Sequence, residues 1–122
     1  MVKFGYMEGS NLEKQPKMSV EISWGEEGES QKFVDLEDLD GNYYIYSLPK
    51  SEESQHMGLV VKACDKFKLS GMIERKGGGF VKKAGDTIKI FGTSMMLDNF
   101  DTEKARIAFE KAYPEFNIKV VK

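Results

Sequence analysis

The hydrophobic residues of this chain follow two different spacings, and the change between them constrains the fold more than any other sequence feature. In Met18–Trp24 apolar and polar side chains alternate, as in a β-strand with one buried face. In Ser51–Leu69 apolar residues recur every three to four positions, which predicts an α-helix. Ser51 or Ser54 would cap the start of this helix, and Gly71 would adopt the left-handed conformation after its end. The chain therefore combines sheet and helix.

Turn signals place further elements on both sides of this helix. Asp40-Gly41 and Ala84-Gly85-Asp86 suit hairpin turns, Asp101 or Thr102 would cap a second helix, and Pro114 would end it. We therefore expect an α+β fold in which residues 1–122 form one domain, with a mixed, mostly antiparallel β-sheet and two packed α-helices. Strands are predicted at residues 2–6, 18–24, 32–36, 42–48, 77–83, 87–91 and 117–121, and the second helix at residues 102–112.

Charge is distributed unevenly along the 122 residues. Residues 1–61 contain 5 Lys and Arg against 12 Asp and Glu, whereas residues 62–122 contain 13 against 8. The second half would therefore attract an anionic ligand. No apolar run approaches the roughly 18 residues of a membrane helix, and no secretory signal opens the chain. Because Cys64 is the only cysteine, no intramolecular disulfide can form, and we expect a cytoplasmic protein. We also expect that it does not bind membranes and that it is a monomer.

Three features in the order of the chain point to phosphate chemistry. His56 is the only histidine and lies in the first turn of the predicted helix, where the helix dipole disfavours imidazolium. Gly77-Gly78-Gly79 allows a close approach of the backbone to a ligand, although a glycine run also suits an ordinary turn. Ser94 follows a strand, where its hydroxyl and the backbone of Met95 and Met96 can face an anion.

Other functional classes find no support in the sequence. No Gly-Lys-Ser/Thr follows the glycine triplet, so nucleoside triphosphate binding is disfavoured. The acidic segment ending in Asp40-Gly41 puts Leu36 and Ser47 where a calcium loop needs carboxylates. One histidine and one cysteine give no zinc ligand set, so we expect neither a metal nor another cofactor. The tyrosines of strand 42–48 lie in an acidic region, which disfavours nucleic acid as a partner.

Together these features resemble the phosphohistidine phosphatase (janus/ocnus) family over about residues 54–121. The matching features are His56 at a helix start, Gly77–Gly79, the strand ending in Gly92-Thr93-Ser94-Met95, and the helix ending in Ala112-Tyr113-Pro114. Two positions depart from the family pattern. Phe80 stands where members usually have an arginine after the glycine triplet, and Gln55 stands where an aromatic often precedes the histidine.

The resemblance implies a metal-independent phosphatase that hydrolyses phosphohistidine or a related phosphoramidate, in a protein or a small molecule. It implies that His56 is the catalytic base or the nucleophile, and that the Ser94 loop binds phosphate. A family lysine on an early strand would correspond to Lys17. The alternative is a non-catalytic module that binds phosphorylated ligands. The substrate-binding residues expected on this basis are Lys17, Gly78, Ser94, Met95 and Met96.

Overall fold

The computed structural model describes residues 16–69 and 73–121. The strand predicted at residues 2–6 and the cap predicted at Gly71 lie outside these ranges. The described residues form two α-helices, α1 (His56–Lys66) and α2 (Thr102–Ala112). They also form seven strands: β1 (Met18–Ile22), β2 (Ser30–Asp38), β3 (Tyr43–Ser47), β4 (Ile73–Ala84), β5 (Thr87–Phe91), β6 (Asp98–Asn99) and β7 (Asn117–Val120).

The seven strands form one mixed sheet with β4 near its centre. The strand order is β1-β3-β2-β4-β5-β7, and the short β6 pairs with β4 beside β5. The β2–β3, β2–β4 and β4–β5 ladders are antiparallel, whereas β1–β3, β4–β6 and β5–β7 are parallel. The α+β fold is therefore confirmed, but the expectation of a mostly antiparallel sheet is wrong. Parallel pairing comes from crossover connections, which periodicity along one strand does not encode.

The two helices cover opposite faces of the sheet. Adjacent residues of a strand point to opposite faces, so Phe33 joins the core under α2, whereas Val34 joins the core under α1. The α2 core also contains Ile88, Ile90 and Phe109. Because both faces of β2 are covered, four consecutive residues of this strand, 33–36, are buried instead of every second one. The side chains of the strand contribute to two hydrophobic clusters that one layer of backbone separates.

Helix α1 begins five residues later than Ser51. Its N-cap is Gln55, which makes no side-chain capping bond, so the predicted serine caps are wrong. The preceding segment is a turn instead, because the Pro49 carbonyl accepts hydrogen bonds from the backbone of Glu52 and Glu53 at 2.8 and 3.1 Å. The helix ends at Lys66, and Lys68 supplies the left-handed residue with φ of 57°. His56 is therefore the first residue of the helix.

Helix α2 matches its sequence prediction. The Asp101 carboxylate accepts a hydrogen bond from the Lys104 amide at 3.0 Å, which is the expected N-cap contact. The helix ends at Ala112, before Pro114. The N-cap Asp101 comes two residues after β6. It therefore also holds the end of the segment that leads from β5 back to the sheet.

Candidate functional site

His56 and Ser94 meet over Gly78 on the α1 face of the sheet. A Cβ built on Gly78 would lie 2.8 Å from Cδ2 of His56 and 3.2 Å from Cβ of Ser94. Any larger residue at Gly78 would therefore push the two side chains apart. Both are buried, at 7% and 9% exposure. Helix α1, strand β4 and the loop after β5 thus bring three sequence-predicted residues together.

A hydrogen bond to the backbone of β4 fixes the orientation of the His56 ring. Its Nε2 lies 2.9 Å from the Gly79 carbonyl oxygen. Because a carbonyl can only accept, Nε2 carries the proton and Nδ1 of the neutral ring keeps its lone pair. Gly79 lies between the end of the β6 pairing at Gly78 and the start of the β5 pairing at Phe80. This gap in the sheet leaves room for the histidine ring.

The surroundings of His56 keep its ring neutral at pH 7. Burial lowers the pKa of His56 below its usual value, and the Lys32 ammonium lowers it further, while the Gly79 hydrogen bond acts in the opposite direction. The Phe80 ring packs edge to face against the imidazole, with centroids 5.6 Å apart. The position at the helix N-terminus was expected from sequence, whereas burial and Lys32 were not.

The Ser94 loop presents its backbone and its methionine side chains differently. The Met96 amide donates to the Ser94 hydroxyl oxygen at 3.2 Å, so the hydroxyl proton remains available for an anion. The side chains of Met95 and Met96 are 99% and 72% exposed, and they line a separate hollow of about 470 Å³. Of these two residues, the Met96 amide contacts Ser94, whereas both side chains are exposed.

The glycine triplet lies inside the central strand and does not form a loop. Gly77 and Gly78 pair with β2 on one side and with β6 on the other, and Gly79 pairs with β2. Apart from the Gly79 carbonyl that His56 binds, their backbone groups therefore serve the sheet, and the triplet supplies space instead of a phosphate cradle. A Cβ on Gly77 would meet Asp35 Oδ1 at 2.4 Å, and one on Gly79 would meet Phe100 at 2.7 Å. Gly78 consequently contributes to the site by admitting His56 and Ser94.

Lys17 does not reach this site. It precedes β1, where its backbone pairs with Asn42 and Tyr43. Strands β3 and β2 separate β1 from β4, and strands lie about 4.8 Å apart, so three spacings separate Lys17 from the glycine strand. The expectation for Lys17 therefore has no geometric support.

Lys32 occupies the position that was expected of Lys17. It opposes Phe80 in the β2–β4 register, and its ammonium donates to the Ser54 carbonyl at 2.6 Å, two residues before His56. Sequence reasoning missed Lys32 because a lysine at the start of a strand is ordinarily solvated. Its position at the start of the predicted strand 32–36 was the available signal.

A cavity of about 180 Å³ lies on the other side of Phe80, the residue whose ring packs against His56, and neither His56 nor Ser94 lines it. Its lining includes Lys32, Lys50, Glu53, Ser54 and Phe80. Glu53 is paired with Lys62 of α1 at 3.2 Å, so the carboxylate is already neutralised and the two other lysines give the cavity a positive charge. The charge of this cavity is suited to a phosphoryl group, and Phe80 separates it from the His56 ring.

A buried ion pair anchors the far end of the Ser94 loop. Asp35 is fully buried, and its Oδ2 accepts hydrogen bonds from Arg75 Nη2 at 2.7 Å, the Tyr43 hydroxyl at 2.6 Å and the Asp101 amide at 2.9 Å. Arg75 also donates from Nη1 to the Asn99 carbonyl at 3.0 Å. The pair therefore joins β2 and β4 to the segment between β6 and α2. The other carboxylate oxygen of Asp35, Oδ1, has no hydrogen-bond partner among the described residues.

Residues 16–69 and 73–121 contain no group of three or more His, Cys, Asp or Glu side chains arranged to hold a metal ion. No helix within these ranges is both long and apolar enough to cross a membrane.

Comparison with known proteins yields no match: neither a protein-family model nor a curated protein sequence matches the chain significantly.

Proposed function

We propose that this protein is a metal-independent phosphatase of the phosphohistidine type, acting on phosphohistidine or a related phosphoramidate. The observation that carries the proposal is the hydrogen bond between His56 Nε2 and the Gly79 carbonyl, which leaves Nδ1 unprotonated. The cationic cavity and the Ser94 hydroxyl supply the groups that would hold phosphoryl oxygens. The family resemblance of residues 54–121 supports the same reaction.

In this reaction, His56 has one of two roles. As a base, Nδ1 takes a proton from water while the water oxygen attacks phosphorus. As a nucleophile, Nδ1 attacks phosphorus itself, and water later releases the phosphate. In both cases the P–N bond breaks with its electron pair moving to the leaving nitrogen, which is protonated. The loose transition state of phosphoryl transfer requires mainly positioning and charge stabilisation.

The direct test is release of inorganic phosphate from a phosphohistidine-bearing peptide and from phosphoramidate by the wild-type protein. Release above the spontaneous rate, with saturation, is the expected result. Phosphoserine peptide serves as the control substrate, because its P–O bond has a poorer leaving group than a protonated nitrogen. Failure to hydrolyse any phosphoramidate, together with specific retention of phosphate, would favour the binding module over the enzyme.

Turnover should survive removal of divalent ions. The chemistry needs a neutral imidazole and cationic side chains, and both belong to the chain itself. Phosphate release measured with and without excess EDTA should therefore agree. A loss of rate that Mg²⁺ or Zn²⁺ restores would show that a metal ion stabilises the transition state.

The rate should fall at acid pH and stay level above neutrality. Burial lowers the pKa of His56, so the active neutral ring persists down to pH values below the free-histidine reference of about 6.5. Protonation below that value removes the lone pair of Nδ1. A pH profile of kcat/KM, corrected for spontaneous hydrolysis, should show this acid limb. An acid limb with its midpoint above pH 7 would contradict the neutral-histidine mechanism.

A further inference from the structure

Three lysines stand side by side on the open part of the α1 face. Lys82 of β4 pairs with Lys89 of β5, and Lys89 pairs with Lys119 of β7. Their neighbours in sequence, including Val81, Ile88 and Ile118, face the α2 core, so the three lysines point to the other side. We call Lys82, Lys89 and Lys119 the lysine row.

The lysine row carries charge that no carboxylate of residues 16–69 and 73–121 pairs with. Like charges directly opposite each other in a sheet are destabilising, and adjacent strands lie only about 4.8 Å apart. None of the three lysines forms an ion pair with a carboxylate in the described part of the chain. Lys89 and Lys119 are exposed. An anionic partner would relieve this repulsion.

The lysine row continues from the candidate site. Ser30, which lines the cationic cavity, opposes Lys82 in the β2–β4 register. Phe80, which lines the same cavity, lies two residues before Lys82 on β4, and two strand residues span about 6.6 Å. A substrate polypeptide that extends from the cavity across the strands would therefore pass directly over the lysine row.

We propose that the lysine row binds an acidic segment of a polypeptide substrate, a few residues from its phosphorylated side chain. The inference rests on the proposed function for the position of that side chain. In an extended segment, side chains on one face repeat every two residues, about 6.6 Å. The lysines of the row lie about 4.8 Å apart across the strands, and their long flexible side chains can cover the difference from this repeat, so Asp or Glu at alternate positions would reach successive lysines. The row would thus select acidic substrates among phosphohistidine proteins.

Single-stranded nucleic acid fits this face less well. Such ligands need aromatic rings with open faces on which bases stack. The two rings next to the row, Phe80 and Phe91, stack on each other with centroids 5.8 Å apart. The Lys89 ammonium lies over the Phe91 ring at 5.2 Å. The Phe91 ring is therefore occupied on this face by contacts within the chain.

The test compares two phosphohistidine peptides that differ only in Glu or Gln at alternate positions flanking the phosphorylated residue. Wild-type kcat/KM should favour the Glu peptide by about 5- to 10-fold, the effect of two or three exposed ion pairs. In Lys89→Gln/Lys119→Gln this ratio should fall toward 1, with the change mainly in KM. Lys66→Gln/Lys111→Gln removes the same charge from exposed helical positions and should keep the wild-type ratio. In about 1 M salt the wild-type preference should disappear.

A binding measurement distinguishes failure of this inference from failure of the proposed function. Unphosphorylated Glu and Gln peptides are titrated by fluorescence anisotropy against the same variants, which needs no turnover. If the protein prefers the Glu peptide and this preference depends on Lys89 and Lys119, the proposed role of the lysine row is supported. This holds even if the protein has no phosphatase activity. Turnover of phosphohistidine with equal kcat/KM for both peptides overturns the inference and leaves the proposed function standing. A single-stranded oligonucleotide that binds through the row more tightly than the Glu peptide also overturns it.

Discussion

Replacing His56 with alanine should lower phosphate release from a phosphohistidine peptide by about 10²- to 10⁴-fold, the range for loss of a positioned base. The variant removes the only imidazole of the chain. The cationic cavity and Ser94 remain, so phosphate binding should weaken little. Initial rates and phosphate affinity measured on the same preparation therefore separate loss of chemistry from loss of binding.

A control is needed because the Gly79 carbonyl loses its hydrogen bond in His56→Ala, which could change the fold as well as the chemistry. His56→Asn keeps a side-chain donor, so its circular dichroism and unfolding midpoint show whether the fold survives. The asparagine variant should be as inactive as the alanine variant, because an amide cannot act as a base. Wild-type turnover in either variant would reduce His56 to a structural residue and favour the non-catalytic binding module.

Replacing Asp35 with alanine should lower the free energy of unfolding by about 3–5 kcal/mol, the usual effect of removing one partner of a buried ion pair. The change would leave the Arg75 guanidinium, the Tyr43 hydroxyl and the Asp101 amide without their shared acceptor. Burial raises the pKa of Tyr43, and this contribution remains in the variant, so the phenol stays protonated at pH 7 and keeps a hydroxyl proton without an acceptor. Urea unfolding at pH 7 measures the loss.

An exposed pair of the same chemistry provides the control. Glu103 and Arg106 form an ion pair on the surface of α2, and Glu103→Ala should change the unfolding free energy by less than about 1 kcal/mol. Equal effects of the two substitutions would show that the Asp35 network is worth no more than a surface contact. The Asp35 variant should also loosen the end of the Ser94 loop, because its Asp101 and Asn99 anchors depend on the same ion pair.

Local sequence patterns predicted the elements whose signals are local. The alternation of Met18–Trp24 is present in β1, and the Asp101 cap is present at α2. The hairpin expected at Ala84–Asp86 joins β4 to β5, with Gly85 at φ of 61°. These features depend on side chains within a few residues of each other, so each can be predicted from a short segment of the sequence.

Features that depend on distant residues could not be predicted in the same way. Strand β6 has two residues, too few for any periodicity, and its pairing with Gly77 and Gly78 is set by the loop that precedes it. The turn before α1 depends on the Pro49 carbonyl, which overrides two serines with good capping propensity. Lys32 reaches the site through the β2–β4 register, whereas Lys17 resembles it in sequence but lies at the sheet edge.

The position of the glycine triplet in β4 also has a consequence for folding kinetics. The register joins Phe33 to Gly79, and contacts between such distant residues form slowly because a long loop must close first. The Gly79 carbonyl reaches His56 only after that closure. No early local fragment of the chain therefore contains the site, and a newly made protein should acquire activity only at the rate of its slowest long-range pairing.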